Sequence, residues 1–142
     1  CTMAANGVDI DECVETLIQT LPVCHVRGVA YSTFSLIRVD NEGRGFLYEF
    51  DNPRAIYYHN GNCIDMDREK LDICGKLVYK SELNLEEDDI ILVMSDGTIH
   101  AGIGQILNFG WERRQIMDHL DRNIKKNKRR LVFFKLFKRL FT

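Results

Sequence analysis

The sequence predicts an α+β domain: an antiparallel β-sandwich flanked by helices. Three observations carry that expectation. An apolar stripe at helical spacing opens the chain, a set of short alternating runs separated by turn residues fills its middle, and a second helical stripe follows near the end. Successive hairpins imply an antiparallel sheet, and such a sheet needs a covering layer for its apolar face.

The first element spans about Val8 to Leu21. Ile10, Cys13, Val14, Leu17, Ile18 and Leu21 recur on one helical face, and Pro22 stops the helix. Asp9, Asp11 and Glu12 stand near its start, where the helix dipole favours negative charge. Residues 29–39 alternate as a strand, with Tyr31, Thr33, Ser35 and Ile37 on one side and Phe34 and Leu36 on the other. Asp40-Asn41-Glu42-Gly43 turns the chain, and Gly45 to Phe50 returns as its hairpin partner. Asp51-Asn52-Pro53 breaks that strand. Arg54 to His59 forms a third strand, Asn60-Gly61 a tight turn, and Cys63 to Met66 pairs back. Another short strand is expected around Gly75, within Leu71 to Tyr79. The last strand begins after Asp88-Asp89 and runs through Ile90, Ile91, Leu92, Val93 and Met94 to Ser95-Asp96-Gly97. His100 to Gly110 reads as loop or irregular helix. Trp111 to about Lys126 reads as a helix, with Trp111, Ile116, Leu120 and Ile124 on one face.

Bulk properties narrow the class. A length of 142 residues with 45% hydrophobic and 28% charged residues is that of one globular domain able to bury a core. The net charge of −2 hides an asymmetry. Residues 122–142 hold nine Lys/Arg and no acid, which leaves ten basic residues against twenty-one acids in the rest, a formal −11. So acidic a body argues against nucleic-acid binding. Cys1, Cys13, Cys24, Cys63 and Cys74 show no C-x-x-C spacing. They read as free thiols of a reducing, cytoplasmic compartment rather than as a zinc or redox site. No uninterrupted apolar run is long enough to cross a bilayer.

Two segments follow from this division: a domain over 1–124 and a basic segment over 125–142. At 100° per residue, Lys135, Lys138 and Arg139 share one face, while Phe133, Phe134, Phe137, Leu140 and Phe141 cover much of the rest. That is the pattern of a cationic amphipathic helix suited to a membrane surface or a partner groove. The alternative is packing against the domain.

Asp96 is the candidate metal ligand. A carboxylate at a strand tip, followed by a glycine that permits a sharp turn, presents a hard oxygen donor of the kind Mg²⁺ and Mn²⁺ take. Asp-Gly pairs also make plain turns, and spacing alone leaves both readings open. Asp89 lies about 23 Å from Asp96 along an extended strand, too far to share its ion, and Asp88-Asp89 is expected to be a solvated turn. His25, His59, His100 and His119 lack the helical i,i+4 spacing of a zinc pair, and no G-x-S-x-G elbow marks a nucleophilic serine.

Three stretches, taken together and in order, resemble a known family. Glu87 to Gly97 is similar to the strand-Asp-Gly segment of the PPM (protein phosphatase type 2C) superfamily in its SpoIIE-like bacterial branch. Tyr31-Ser32-Thr33-Phe34-Ser35-Leu36-Ile37 resembles that branch's central strand, and Tyr48-Glu49-Phe50-Asp51-Asn52-Pro53 resembles its strand followed by Asn-Pro. The likeness runs from roughly Met3 to Asp121. It implies hydrolysis of phosphoserine or phosphothreonine in a phosphoprotein substrate, as in bacterial signalling and sporulation, by water activated on Mn²⁺ or Mg²⁺. Asp96 maps onto an aspartate that holds one metal. The family's earlier Asp-Gly segment and its acidic closing strand have no counterpart here, since no acid follows Asp121. The resemblance therefore implies the interior of a phosphatase domain, cut at both ends and inactive alone. The rival reading is a non-catalytic binding or regulatory module of the same fold.

Overall fold

The computed structural model describes residues 6–21, 32–101 and 110–126. Helix α1 (Ile10–Thr20) is followed by β1 (Phe34–Val39), β2 (Arg44–Phe50), β3 (Ile56–His59), β4 (Asn62–Ile64), β5 (Glu69–Ile73), β6 (Lys76–Asn84) and β7 (Ile90–Leu92). Helices α2 (Asp96–His100) and α3 (Arg113–Lys126) complete the order. The chain is thus α+β, and among the described residues every strand pairs antiparallel. It divides into two compact units, Cys1–Asn52 with Met66–Glu86 and Pro53–Asp65 with Glu87–Thr142.

The first unit is a four-stranded sheet, β1-β2-β6-β5, with α1 on one face. Its core joins Ile10, Val14 and Ile18 of the helix to Tyr48, Phe50 and Val78 of the sheet. The expected helical stripe is the buried one, since a 3.6-residue period puts those side chains on one side. The Leu21 N–H donates to the Leu17 carbonyl at 2.9 Å, so the helix closes one residue before Pro22. Lys76 Nζ reaches the Ile18 carbonyl at 2.8 Å and places a cation at the negative end of the dipole. Asp11 sits in the first turn and accepts hydrogen bonds from Tyr48 Oη and from Lys80 Nζ, the latter at 3.3 Å. Lys80 also lies 4.5 Å from the centre of the Phe46 ring. The opposite sheet face carries Leu47, Glu49, Ser81 and Leu83, all nearly inaccessible, with Arg68 Nη1 3.7 Å from the Glu49 carboxylate.

Turn chemistry sets the registers. Asp40 Oδ1 accepts the backbone N–H groups of Glu42 and Arg44 at 2.8 and 2.9 Å, and Gly43 adopts φ 82°. At Gly45, opposite Val39, an added Cβ would stand 1.8 Å from the Arg38 carbonyl oxygen, so a side chain is excluded there. The expected single strand around Gly75 is instead a hairpin. Cys74 (φ 54°) and Gly75 (φ 75°) both take left-handed backbone between β5 and β6, as a two-residue type I′ loop requires. The Asp72 carboxylate supports it by accepting the Gly75 N–H at 2.9 Å. Cysteine carries no turn preference, which is why alternation over Leu71–Tyr79 reads as one strand.

The second unit is a three-stranded sheet, β4-β3-β7, joined to α3 by a core of Ile56, Tyr58, Leu92, Met94, Ile116, Leu120 and Ile124. Asn60 (φ 48°) and Gly61 (φ 83°) form the expected tight turn, which pairs His59 with Asn62. Arg113 opens α3 and clamps the start of β3. Its guanidinium donates to the carbonyls of Arg54 and Ala55, the latter at 2.8 Å, and its Nε lies 3.2 Å from Asp65 Oδ1. Trp111 precedes the helix rather than lying on it, yet packs against the same core. Residues 22–31, 102–109 and 127–142 lie outside the described residues, and with them the start of the first expected strand, His25 and nearly all of the basic segment.

Candidate functional site around Asp96

Strand β7 is shorter than the apolar run suggests. Pairing with β3 matches Ile56 to Leu92 and Tyr58 to Ile90, and the ladder ends there. Val93 and Met94 continue without pairing, and Met94 enters the core of the second unit. Ser95 takes extended backbone (φ −89°, ψ 167°) as the N-cap of α2, and Asp96 is the first residue of that helix. Asp96 therefore lies in the first turn of a helix and not at the tip of the strand, where the sequence suggests it.

The Asp96 side chain is exposed. Its Oδ1 accepts the Gly97 N–H at 2.8 Å, which holds the carboxylate against the helix start. The Thr98 N–H donates to the Ser95 carbonyl at 3.0 Å, and buried Thr98 anchors the short helix beneath. Asp96 is suited to be one ligand of a hard cation: a fixed, solvent-facing oxygen donor. It does not amount to a cation site. Among the described residues, no group of three His, Cys, Asp or Glu side chains stands close enough to hold a metal ion. One carboxylate offers a small part of the six-oxygen shell that Mg²⁺ demands.

Two of the stretches that carry the family resemblance meet in space. Asn52, after β2, donates from Nδ2 to Ser35 Oγ of β1 at 2.9 Å. Asp51 (φ 53°) supplies the left-handed step that brings Asn52 back towards β1. This contact orders the end of the β1–β2 hairpin.

A second polar cluster lies at the other end of β7. Asp89 is not a solvated turn residue: its side chain is 4% exposed. His59 Nδ1 lies 2.8 Å from Asp89 Oδ1, and Tyr57 Oη donates to Asp89 Oδ2. The Tyr57 and His59 rings stack with centroids 5.5 Å apart. Strand period accounts for the meeting, because residues 57 and 59 point to the same face of β3. Asp88, at φ 70°, turns the chain just before Asp89. The alternation of Tyr57 and His59 was the available signal, but two adjacent acids ahead of a strand resemble any solvated turn.

Of the described cysteines, Cys13, Cys63 and Cys74 are free thiols. Cys63 donates to the Met117 carbonyl, and burial pushes its thiol pKa up, so it is an inert packing group. Among the described residues no helix is long and apolar enough to cross a membrane.

No protein-family model, no curated protein and no solved structure matches this chain.

Proposed function

We propose that this chain is a PPM-type, SpoIIE-like phosphatase domain acting on phosphoserine or phosphothreonine in a protein substrate. In this reading Asp96 supplies one carboxylate to a Mn²⁺ or Mg²⁺ ion, and residues 1–142 alone turn over substrate very weakly or not at all. The observation that carries it is the placement of Asp96: an exposed carboxylate, held by the Gly97 N–H, at the start of the short helix that follows β7. The Ser35–Asn52 contact adds support, since it joins two separate stretches of the resemblance in one hairpin. The antiparallel sheets and their helices have the α+β make-up that this reading requires.

The metal would supply an activated water and charge neutralisation at the phosphoryl group. Asp96 would be its one ligand among the described residues. A cytoplasmic location, and contact of residues 125–142 with an anionic membrane surface, belong to the same proposal. Both rest on the sequence: scattered thiols in one case, a cationic apolar segment in the other.

The test is Mn²⁺ binding by calorimetry on residues 1–142, with p-nitrophenyl phosphate and a phosphoserine peptide as substrates. Saturable Mn²⁺ binding that Asp96→Asn abolishes supports the reading. Equal binding by the Asp96→Asn variant overturns the ligand assignment. Brisk metal-dependent turnover by the wild-type chain overturns its inactivity. A phosphopeptide bound without hydrolysis, even with Mn²⁺ bound at Asp96, favours a binding module.

A further inference from the structure

The Asp89–His59 pair has the geometry of an oriented nucleophile. His59 Nε2 lies 2.9 Å from Asn60 Nδ2, an amide nitrogen that can only donate. Nε2 therefore holds the lone pair, and Nδ1 carries the proton that it donates to Asp89 Oδ1 at 2.8 Å. The carboxylate behind the ring is nearly buried at 4% exposure, whereas the His59 side chain is 26% exposed. The nearly buried carboxylate thus sets the tautomer and the orientation of the ring, whose Nε2 accepts from the exposed Asn60 amide. The Tyr57 hydroxyl occupies the other carboxylate oxygen and the Tyr57 ring stacks on the imidazole, so the ring is held on two sides. The His59 ring bonds a carboxylate through Nδ1, whereas the His119 ring meets the edge of Trp111.

We propose that His59 is the nucleophile of a metal-independent acyl-transfer site for activated esters of small carboxylic acids. The lone pair of Nε2 adds to the ester carbonyl carbon. The exposed Asn60 amide, already beside that nitrogen, turns to donate to the oxyanion. The C–O bond to the leaving group breaks and its electron pair departs with the alkoxide or phenolate. Asp89 balances the positive charge on the acyl-imidazolium through the Nδ1–H. Water then adds to the acyl carbon and the C–N bond breaks, returning its pair to Nε2. The products are the carboxylate, the leaving group and the two protons of the water, released to solvent.

The experiment is p-nitrophenyl acetate hydrolysis by the full chain with EDTA present, which separates this activity from any metal-dependent one. His59→Gln is expected to lower the rate above the buffer background at least about tenfold. Asp89→Asn is expected to lower kcat with KM unchanged, and His119→Gln to keep the wild-type rate. Peptide mapping of acid-quenched wild-type chain is expected to find the acetyl group on His59. An undiminished rate in His59→Gln overturns the proposal, as does an adduct confined to lysines. If Asp89→Asn fails to fold, by circular dichroism, the adduct position on the wild-type chain decides alone.

Discussion

The Asn52 side chain bridges back to Ser35, donating Nδ2 to Oγ at 2.9 Å across the open end of the β1–β2 hairpin. Both groups are part-buried. Ser35→Ala is expected to cost about 0.5–1.5 kcal/mol, the net worth of a typical intramolecular hydrogen bond. Urea unfolding at constant m-value checks it. Ser35→Thr keeps the hydroxyl and is expected to retain most of that stability.

Gly45→Ala is expected to destabilise by about 1–3 kcal/mol, the range for overpacking a filled site. The new methyl would have to displace the Arg38 carbonyl, which a Cβ would approach to 1.8 Å. Backbone cannot rotate aside as a side chain can. Gly61→Ala has nothing within contact distance of its Cβ, so its cost comes from the left-handed backbone alone. Thermal unfolding of the two variants side by side separates clash from conformational strain.

Acid is expected to loosen α1 from its sheet. The Tyr48 hydroxyl, and after it Lys80, holds the Asp11 carboxyl below its ordinary value. A depressed carboxyl contributes its stability above the ordinary carboxylate range and loses it as pH falls through the lowered value. The Asp11 side chain is 60% exposed, so solvent screening keeps the effect small. Tyr48→Phe is expected to flatten the acid limb of the stability curve, measured by urea midpoints from pH 7 down to pH 2.

Arg113→Met is expected to cost roughly 1.5–3 kcal/mol through loss of charge-assisted bonds to the Arg54 and Ala55 carbonyls. The methionine can still pack, which limits the effect to the polar contacts. Hydrogen exchange at Ile56–His59 is expected to quicken more than exchange in β2 or β6, because the clamp acts on β3.

Asp96→Asn is expected to change stability by less than about 0.5 kcal/mol, since the side chain is exposed and the amide oxygen still accepts from Gly97 N–H. Any loss of Mn²⁺ binding in that variant is then a change of ligand chemistry rather than of folding.

Much of this architecture can be read from residue spacing. Ile10, Val14 and Ile18 announce their helix face, Ile116, Leu120 and Ile124 announce another, and Asn60-Gly61 announces its turn. Each signal is local, repeated and unopposed. The Cys74-Gly75 hairpin escapes such reading because a cysteine adopts left-handed backbone there without any intrinsic preference for it. The run from Ile90 to Met94 promises a longer strand than the three residues that pair, because apolar character records burial and not hydrogen bonding. Asp96 follows the apolar run as its spacing suggests, but as the first residue of a short helix and not on the strand tip. The Asp89 pair is different in kind: it depends on two segments thirty residues apart meeting in a sheet, and no local pattern encodes that.

The single tryptophan also has a practical meaning. Trp111 packs in the second unit, against the core shared by β3, β7 and α3, with the His119 ring edge-on 6.0 Å away. Its emission is a built-in lamp for that half of the molecule alone, dark to whatever happens around α1. Fluorescence and far-ultraviolet dichroism followed together during unfolding will trace one curve if the halves melt as one and two if they part company.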